Sequence, residues 1–258
     1  MKNDGNTILI TGGGSGIGAA LAQRFHDAGN TVIVAGRRQA ALEEACAGRE
    51  RMHAMVLDVE RAEGVADFAV RLLEAHPALN VLINNAGVMR LEPIDRKRDL
   101  SDAEETLATN VMGPIRLIDA LVGHLAGQPD AAIVNVTSGL GFVPLLDAAV
   151  YSATKAAMHF YTVALRAELA GRVELIELIP PGVQTGLTPG QETRPGYMPL
   201  DEYVDAVLAQ FQAEPTPVEI TVERSKMLRD AEREGRFEAT LKGLNEGARA
   251  ARAAGEKQ

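Results

Sequence analysis

A short apolar run leads directly into a glycine-rich turn near the start of the chain, and this junction restricts the folds that the chain can adopt. The run is Thr7–Ile10, the turn reads Thr-Gly-Gly-Gly-Ser-Gly-Ile-Gly over 11–18, and a helical pattern follows to about Ala28. Glycines at a strand-to-helix junction let the backbone approach a pyrophosphate, to which the helix N-terminus presents amide donors and a positive dipole. The spacing predicts the first unit of an α/β fold with a nucleotide site.

Strand and helix patterns then alternate along the chain. Strands are predicted at Thr31–Ala35, His53–Leu57, Leu79–Ile83, Ala131–Val136, Val173–Ile179 and Pro217–Val222, and helices at Gln39–Cys46, Glu60–Ala75, Asp102–Leu125, Tyr151–Ala170, Leu200–Gln212 and Ser225–Ala253. Short-range alternation favours right-handed crossovers and a doubly wound parallel sheet flanked by helices, with ligands beyond the carboxyl ends of the strands. We expect one domain over 1–258, with a lid at about 186–212 and a helical C-terminal tail at about 225–258.

Composition excludes several classes of protein. The chain has 258 residues, of which 46% are hydrophobic and 24% charged, as in an ordinary globular protein. A net charge of -9 disfavours a nucleic-acid or anionic-membrane surface. The single Cys46 excludes an internal disulfide framework, and no apolar run approaches the roughly 20 residues of a membrane span. The five histidines show no metal-ligand spacing. We therefore expect a cytoplasmic protein with no metal, nucleic-acid or membrane partner.

Two arginines follow the second predicted strand. In a doubly wound fold this strand end meets the adenosine ribose, where an acidic residue would favour NAD. Arg37 and Arg38 stand there instead, and guanidinium groups pair well with a 2′-phosphate, which favours NADP. The alternative is that both side chains only solvate the loop. Asp58, at the end of the third strand, could accept from the adenine amino group or cap the next helix.

Tyr151 and Lys155 lie four residues apart at the start of a predicted helix, so they share one face. A neighbouring cation stabilises a phenolate, which would lower the tyrosine pKa towards the range of an acid–base catalyst. The alternative is an ordinary exposed helix pair. Pro114 predicts a distortion of the preceding helix near Asn110, which would turn this amide towards the site or leave it to solvate the helix. The apolar loop Leu140–Leu146 indicates a pocket or an interface.

Five motifs in register resemble the short-chain dehydrogenase/reductase family. They are Thr-Gly-x-x-x-Gly-x-Gly at 11–18, Asn-Asn-Ala-Gly at 84–87, Asn110, Ser138 and Tyr-x-x-x-Lys at 151–155. The similarity covers roughly 6–222 and implies a Rossmann-like sheet of strand order 3-2-1-4-5-6-7 with hydride transfer between a nicotinamide and a carbonyl or alcohol. More loosely, Arg37 and the loop sequences look similar to a bacterial subgroup of DltE-like oxidoreductases.

The resemblance implies roles for individual residues. Tyr151 would be the general acid or base, Lys155 would lower its pKa and bind the nicotinamide ribose, Ser138 would hold the carbonyl oxygen, and Asn110 would hold a water for proton relay. The positions matching the family's cofactor site are Gly12, Ser15, Gly16, Ile17, Gly18, Arg37, Arg38, Asp58, Val59, Asn85, Ala86, Gly87, Tyr151, Lys155 and Thr185. One departure is Pro181, which stands where the family has glycine.

The implied function is an NADP-dependent carbonyl reductase or alcohol dehydrogenase that acts on a hydrophobic small molecule. A non-catalytic NADP-sensing or scaffold protein on the same fold is the alternative. An isomerase or dehydratase of the extended relatives is disfavoured, because those carry a Gly-x-x-Gly-x-x-Gly turn. His159, Phe160 and Tyr161 are interpreted as packing or surface residues. The resemblance also implies a homodimer or homotetramer; the natural substrate and its stereochemistry stay open.

Overall fold

Seven parallel strands form one sheet in the computed structural model, which describes residues 1–255, with side chains through residue 251. The strands are β1 Thr7–Thr11, β2 Thr31–Gly36, β3 Met52–Val56, β4 Val81–Asn84, β5 Ala132–Val136, β6 Glu174–Ile179 and β7 Glu219–Thr221. Their order is β3-β2-β1-β4-β5-β6-β7, so the chain reverses direction across the sheet between β1 and β4. This is the predicted Rossmann-like order, and it places a crevice beyond the carboxyl ends of the central strands.

Helices cover both faces of the sheet. They are α1 Gly16–Asp27, α2 Gln39–Cys46, α3 Ala62–Ala75, α4 Ser101–Leu107, α5 Gly113–Leu125, α6 Ala149–Glu168, α7 Leu200–Phe211, α8 Glu223–Arg229 and α9 Phe237–Gly255. On one face α1 packs against α7, with the rings of Phe25 and Phe211 in edge contact at 5.4 Å between centroids. On the other, α3 packs against α5, and Phe68 and Leu121 are fully buried there. No helix in the described part is long and apolar enough to cross a bilayer.

The C-terminal region Ser225–Ala253, predicted to be helical, contains two helices. They are α8 and α9, and a turn over 230–236 separates them. α8 ends at Arg229, and Gly235, near the end of the turn, adopts a φ of +68°, a left-handed conformation that favours glycine. The last three residues of the predicted tail, 256–258, lie outside the described residues. The predicted seventh strand, Pro217–Val222, is also shorter, because only Glu219–Thr221 pairs with β6.

The predicted lid divides into two kinds of structure. Its second half is α7, whose Tyr203, Val207 and Phe211 belong to the core. Its first half carries a short 3-10 turn at Gln191–Thr193, and the chain returns to the sheet edge through a bridge between Val183 and Met198. A lid therefore stays a prediction for the first half alone, because α7 is held by the core.

Candidate active site

A cavity of about 410 Å³ opens at the carboxyl edge of the sheet. Eight of the predicted cofactor positions border it: Gly12, Ser15, Arg37, Arg38, Asp58, Val59, Ala86 and Gly87. They come from the turn after β1 and from the ends of β2, β3 and β4. The remaining predicted positions, Gly16, Ile17, Gly18, Asn85, Tyr151, Lys155 and Thr185, do not line this cavity.

The glycine-rich turn is a tight cradle that admits no side chains at two points. A Cβ atom on Gly12 would lie 2.9 Å from the Cα of Ala86, and one on Gly18 would lie 2.4 Å from the Gly12 carbonyl oxygen. Gly12 also has a φ of +66°. The turn thus leaves its backbone bare at the start of α1, which is the geometry that suits a pyrophosphate. The residues present therefore fit a dinucleotide.

Asn85 has a structural part that the sequence did not show. Its side-chain Nδ2 donates to the carbonyl oxygen of Thr11 at 2.9 Å, and the Thr11 hydroxyl accepts from the backbone amides of Asn85 and Ala86 at 3.0 Å. These bonds join the loop after β4 to the glycine-rich turn. Asn85 therefore stabilises the conformation of the glycine-rich turn through these hydrogen bonds.

Arg37 lines the cavity directly after β2, and its side chain is not isolated there. Its guanidinium lies 3.2 Å from Oε1 of Glu60 and 3.8 Å from Oε1 of Glu105. Thr109 also donates its hydroxyl to Glu60 at 2.7 Å. Just over half of the Arg37 side chain is exposed (54%). The two carboxylates orient this side chain at the cavity rim without burying its charge.

Asp58 uses one carboxylate oxygen locally. Its Oδ1 accepts from the backbone amide of Glu60 at 3.1 Å, in the turn before α3. The predicted helix from Glu60 begins at Ala62 instead, so Asp58 caps this turn and is not the N-cap of the helix. Asp58 still lines the cavity. Both interpretations of Asp58, turn cap and adenine acceptor, remain compatible with this position.

The four predicted catalytic residues are buried close together beside the cradle. Ser138 follows β5, Tyr151 and Lys155 lie on the first turns of α6, and Asn110 lies between α4 and α5. The Ser138 hydroxyl is close enough to the Tyr151 side chain to influence its pKa. A Cβ atom on Gly87, which lines the cavity, would lie 3.2 Å from Oδ1 of Asn110 and 3.8 Å from Nζ of Lys155. The cavity thus meets two of the four polar groups, Asn110 and Lys155, at Gly87.

Burial dominates the electrostatics of Tyr151 and Lys155. It raises the pKa of Tyr151 to about 12, which the Ser138 hydroxyl opposes and the nearby Tyr197 adds to. Burial also lowers the pKa of Lys155 to about 8. The ammonium donates to the Val136 carbonyl oxygen at 2.8 Å and lies 5.6 Å from the Tyr151 ring centroid. The pKa of Tyr151 is thus shifted in the direction opposite to the one predicted from the helix pair, and desolvation is the largest cause.

Asn110 lies in a π-helical turn, Ala108–Met112, between α4 and α5. This confirms the distortion predicted ahead of Pro114, which begins α5 with Gly113. Its Oδ1 accepts from the Val88 amide, and its Nδ2 donates to the Val88 carbonyl, both at 2.9 Å. Nδ2 also lies 3.2 Å from the Thr154 hydroxyl of α6. Asn110 therefore joins the loop after β4 to the helix that carries Tyr151.

Sequence reasoning missed Glu92, which lies in the charged segment after β4. Its side chain is only 6% exposed, and its carboxylate accepts from the backbone amide of Val150 at 2.9 Å and from Arg98 at 2.8 Å. A carboxylate at a helix N-terminus is favoured by the helix dipole. Glu92 thus anchors the first turn of α6 next to Tyr151. Only its position as an acid in an irregular segment could have signalled this contact.

A second cluster joins residues that are distant in sequence. His159, Glu177 and Glu219 have potential ligand atoms within 4.8 Å of one another, an arrangement that the histidine spacing did not indicate. Glu177 is fully buried and also accepts from the Thr137 hydroxyl at 2.7 Å. Arg229 occupies both oxygens of Glu219, at 2.9 and 2.8 Å. The groups therefore satisfy one another as an ion-pair network.

The apolar loop Leu140–Leu146 is partly buried: Val143 and Leu145 are buried, whereas Leu146 is exposed. Leu140 and Val143 contact Leu228 of α8 and Leu241 of α9 in one apolar cluster. Leu140 also packs against a second cluster around Tyr151. Of the two predicted uses of this loop, the structure favours a wall beside the site, covered by the C-terminal helices.

With this geometry established, comparison with known proteins assigns the family. A family model described as short chain dehydrogenase matches residues 6–195. The chain is 42% identical over 243 residues to the Bacillus subtilis protein named "Uncharacterized oxidoreductase DltE", covering 90% of this chain and 94% of that protein. It is also 35% identical over 180 residues to sulfoacetaldehyde reductase 2 of Chromohalobacter salexigens, covering 68% and 71% of the two chains.

Solved structures of short-chain dehydrogenases share this fold. A short chain dehydrogenase from Burkholderia cenocepacia in complex with NADP superposes with a TM-score of 0.80 at 28% identity, over 93% of this chain and 99% of that one. A short-chain dehydrogenase from Sphingobium yanoikuyae in complex with NADPH gives a TM-score of 0.76 at 27% identity, over 89% and 94%. The chain therefore belongs to the short-chain dehydrogenase/reductase family and is a DltE-like, NAD(P)-dependent oxidoreductase.

Proposed function

We propose that this protein is an NADP-dependent oxidoreductase that interconverts a carbonyl compound and its alcohol, with Tyr151 as the general acid or base. The observation that carries the proposal is the burial of Ser138 and Tyr151 side by side, with Lys155 one turn further along α6 and beside Gly87 at the cavity wall. A phenol, a hydroxyl and an ammonium group that converge beside a dinucleotide cradle suit proton transfer to an oxygen atom.

In carbonyl reduction each of the site residues has a separate role. Bound NADPH would supply the hydride to the carbonyl carbon. Tyr151 donates its proton to the carbonyl oxygen, and the Ser138 hydroxyl hydrogen-bonds the same oxygen as negative charge develops on it. Lys155 stabilises the resulting phenolate, and its lowered pKa lets it pass a proton to that phenolate near neutral pH. Alcohol oxidation reverses each step.

Cofactor choice is the second part of the proposal. Arg37 and Arg38 border the cavity where the 2′-phosphate of NADP would lie, and Arg37 keeps an exposed guanidinium there. Both relatives with solved structures described above were crystallised with NADP or NADPH. We therefore propose NADP(H) over NAD(H), with Gly12, Ser15 and Ala86 lining the pyrophosphate side.

We also propose that the protein is cytoplasmic and that it forms a homo-oligomer, either a dimer or a tetramer. Four large apolar side chains are well exposed on α4, α6 and the π-helical turn: Leu107, Met112, Phe160 and Val163. Exposed apolar residues concentrated on neighbouring helices favour contact with a second copy.

The decisive test is Tyr151→Phe against the matched control Tyr161→Phe, which removes a hydroxyl from the same helix away from the site. NADPH oxidation is followed with a panel of apolar ketones and aldehydes, and cofactor binding by NADPH fluorescence. We expect Tyr151→Phe to lose at least about 10²-fold in kcat with unchanged cofactor affinity, and Tyr161→Phe to retain activity. Equal activity of both variants contradicts the proposal. Tight NADPH binding without turnover by the wild type would favour the sensing alternative.

A further inference from the structure

The C-terminal helix α9 reaches the neighbourhood of the catalytic tyrosine. Its inward-facing residues recur at helical spacing and are Leu241, Leu244, Asn245 and Ala248. The first two pack with the loop Leu140–Leu146 and α8. Ala248 lies one turn further on and packs, with Met89 and Leu140, against the buried cluster of Leu145, Ala148 and Tyr151. Three segments far apart in sequence therefore form one apolar wall next to Tyr151: the loop after β4, the stretch 140–151 and α9.

Asn245 fixes the position of α9 on this wall. The residue is 6% exposed. Its Oδ1 accepts from the backbone amide of Leu146 at 2.8 Å, and its Nδ2 donates to the carbonyl oxygens of Pro144 at 3.1 Å and Leu241 at 2.8 Å. A buried amide with donors and acceptor satisfied stabilises one arrangement of the two segments, because sliding α9 would leave these groups unpaired. The helix is thereby registered on the loop between Ser138 and Tyr151.

We infer that α9 forms part of the substrate site, that Ala248 limits the size of the substituent accepted beside Tyr151, and that this substituent is apolar. Three observations support the inference. The contacts of this wall come from Met89, Leu140 and Ala248, none of which carries a hydrogen-bonding side chain. Ala248 is only partly buried, so this residue is not sealed inside the cluster. Asn245 also prevents α9 from withdrawing without a cost in buried hydrogen bonds.

The inference rests on the proposed function and deepens it. A small residue at position 248 leaves room that a larger one would fill, and a hydrophobic wall discriminates substrates by the methylenes that it can accommodate. The substrate class is then a carbonyl compound whose substituent on the α9 side is an alkyl or aryl group. A polar or charged substituent on that side would lose its hydration without gaining a partner.

The test compares Ala248→Leu with Ala250→Leu, which adds the same side chain at an exposed position of the same helix. The full-length proteins are assayed with NADPH and a homologous series of methyl ketones and aryl ketones of increasing size. We expect Ala248→Leu to lose about tenfold or more in kcat/KM for the bulky members while retaining the small ones, with NADPH affinity unchanged. Ala250→Leu should match the wild type throughout.

A binding measurement keeps the two proposals separable. Binding of the same ketones to the protein saturated with NADP⁺ is followed by ligand-observed NMR, which requires no turnover. A shift in size preference confined to Ala248→Leu supports the inference whether or not the wild type reduces the ketones. Identical size profiles in both variants overturn it, as does a wild type that binds NADPH yet neither binds nor reduces any member of the series. Failure to bind NADPH would instead overturn the proposed function.

Asn245→Ala provides a second variant in case Ala248→Leu folds poorly. This change removes the contacts to Pro144 and Leu146 but adds no bulk, so it should loosen α9 and broaden the size range accepted. We expect the ratio of kcat/KM for the largest ketone to that for the smallest to rise above the wild-type ratio, with cofactor affinity unchanged. An unchanged ratio in a folded Asn245→Ala variant counts against a wall registered by this residue.

Discussion

Tyr151 and Lys155 face the same desolvated environment, and it moves their pKa values in opposite directions. A buried phenol resists ionisation, whereas a buried ammonium group tends to lose its proton. The pKa of Tyr151 is therefore raised to about 12, and that of Lys155 is lowered to about 8. Near neutral pH Tyr151 is therefore protonated and uncharged, whereas Lys155 still carries most of its charge and loses it as the pH rises through about 8. The Lys155 charge is thus available beside a phenolate formed during turnover at neutral pH.

The lowered pKa of Lys155 predicts a pH-dependent stability. Between pH 8 and pH 10 the unfolded chain, with a lysine pKa of 10.5, holds a proton that the folded chain has released. The free energy of unfolding therefore rises with pH in this window. Relative to Lys155→Met, which cannot titrate, we expect the wild type to gain about 2 kcal/mol between pH 8 and pH 10. Urea unfolding of both proteins at several pH values measures the difference.

Tyr151 sets the upper limit of that window. Its folded pKa lies above its unfolded value of 10, so its contribution has the opposite sign and lowers stability as the pH rises past 10. Restricting the comparison to pH 8–10 therefore isolates Lys155. Parallel pH dependences of the wild type and Lys155→Met would show that this lysine is not desolvated in the folded protein.

The position of Arg37 predicts a preference for NADPH over NADH. Because Glu60 and Glu105 already flank it, replacement by an acid would bring three carboxylates together, so Arg37→Gln is the cleaner variant. We expect the ratio of kcat/KM for NADPH to that for NADH to fall about tenfold or more, through the loss of a charge-assisted phosphate contact. Arg61→Gln, an exposed change of equal charge, is the control. If both variants leave the ratio unaltered, another residue reads the phosphate.

The sequence identified some features of individual residues and not others. Ser138, Tyr151 and Lys155 could be identified as candidate site residues, because their order and spacing match the family, and the structure brings them together. Their pKa shifts could not be predicted, because burial is set by loops and helices from elsewhere in the chain, including α9. The ion-pair network of His159, Glu177 and Glu219 was equally invisible, since its members come from α6, β6 and β7.

At the scale of elements, the start of α6 is the critical junction. The helix N-terminus lies two residues before Tyr151, and its first turn has unsatisfied backbone amides. Glu92 supplies a buried acceptor to Val150 and is itself neutralised by Arg98. An acid from a loop 58 residues earlier thus orients the catalytic helix. No local capping motif in the sequence indicated this partner.

Glu92 should therefore contribute to both stability and catalysis. We expect Glu92→Ala to lower the free energy of unfolding by about 2–3 kcal/mol, through loss of the cap and an unpaired Arg98. Glu92→Gln keeps an acceptor for Val150 and should lose less. Urea denaturation measures these values, and kcat with saturating NADPH reports on Tyr151. Glu92→Ala with wild-type stability would show that the contact contributes nothing measurable.

Interruptions of helices could be predicted where a residue type has a single structural effect. Pro114 correctly indicated the distortion realised as the π-helical turn at Asn110. Gly235 was less informative, because it lies in a charged run of good helix formers and its positive φ appears only in the folded chain. The turn that contains it allows α9 to pack against the loop Leu140–Leu146.

The whole molecule follows from the alternation of strands and helices. Short connections and right-handed crossovers leave few arrangements for seven parallel strands, and the strand order was predictable for that reason. The cavity at the reversal of strand order between β1 and β4 follows from the same rule. The packing of α8 and α9 does not, because no rule of connection directs a C-terminal helix back over the site.

The oligomeric state depends on the surface residues of the molecule and does not follow from the strand order. Phe160 is 71% exposed on α6, and Leu107, Met112 and Val163 are exposed on the same or neighbouring elements. Aromatic residues at the centre of an interface contribute most to binding. We expect the wild type to be a dimer or tetramer and Phe160→Asp to weaken association by about 2 kcal/mol or more, roughly 30-fold.

Val70→Asp is the matched control for this prediction, because Val70 is 59% exposed on α3, away from α4 and α6. Light scattering after size exclusion, over a range of protein concentrations, gives the masses of the wild type and both variants. Dissociation confined to Phe160→Asp would place the interface on α6, because an aspartate there must be desolvated against the partner's apolar surface. A wild type of monomer mass at every concentration, or equal effects of the two aspartates, would exclude this face as the interface.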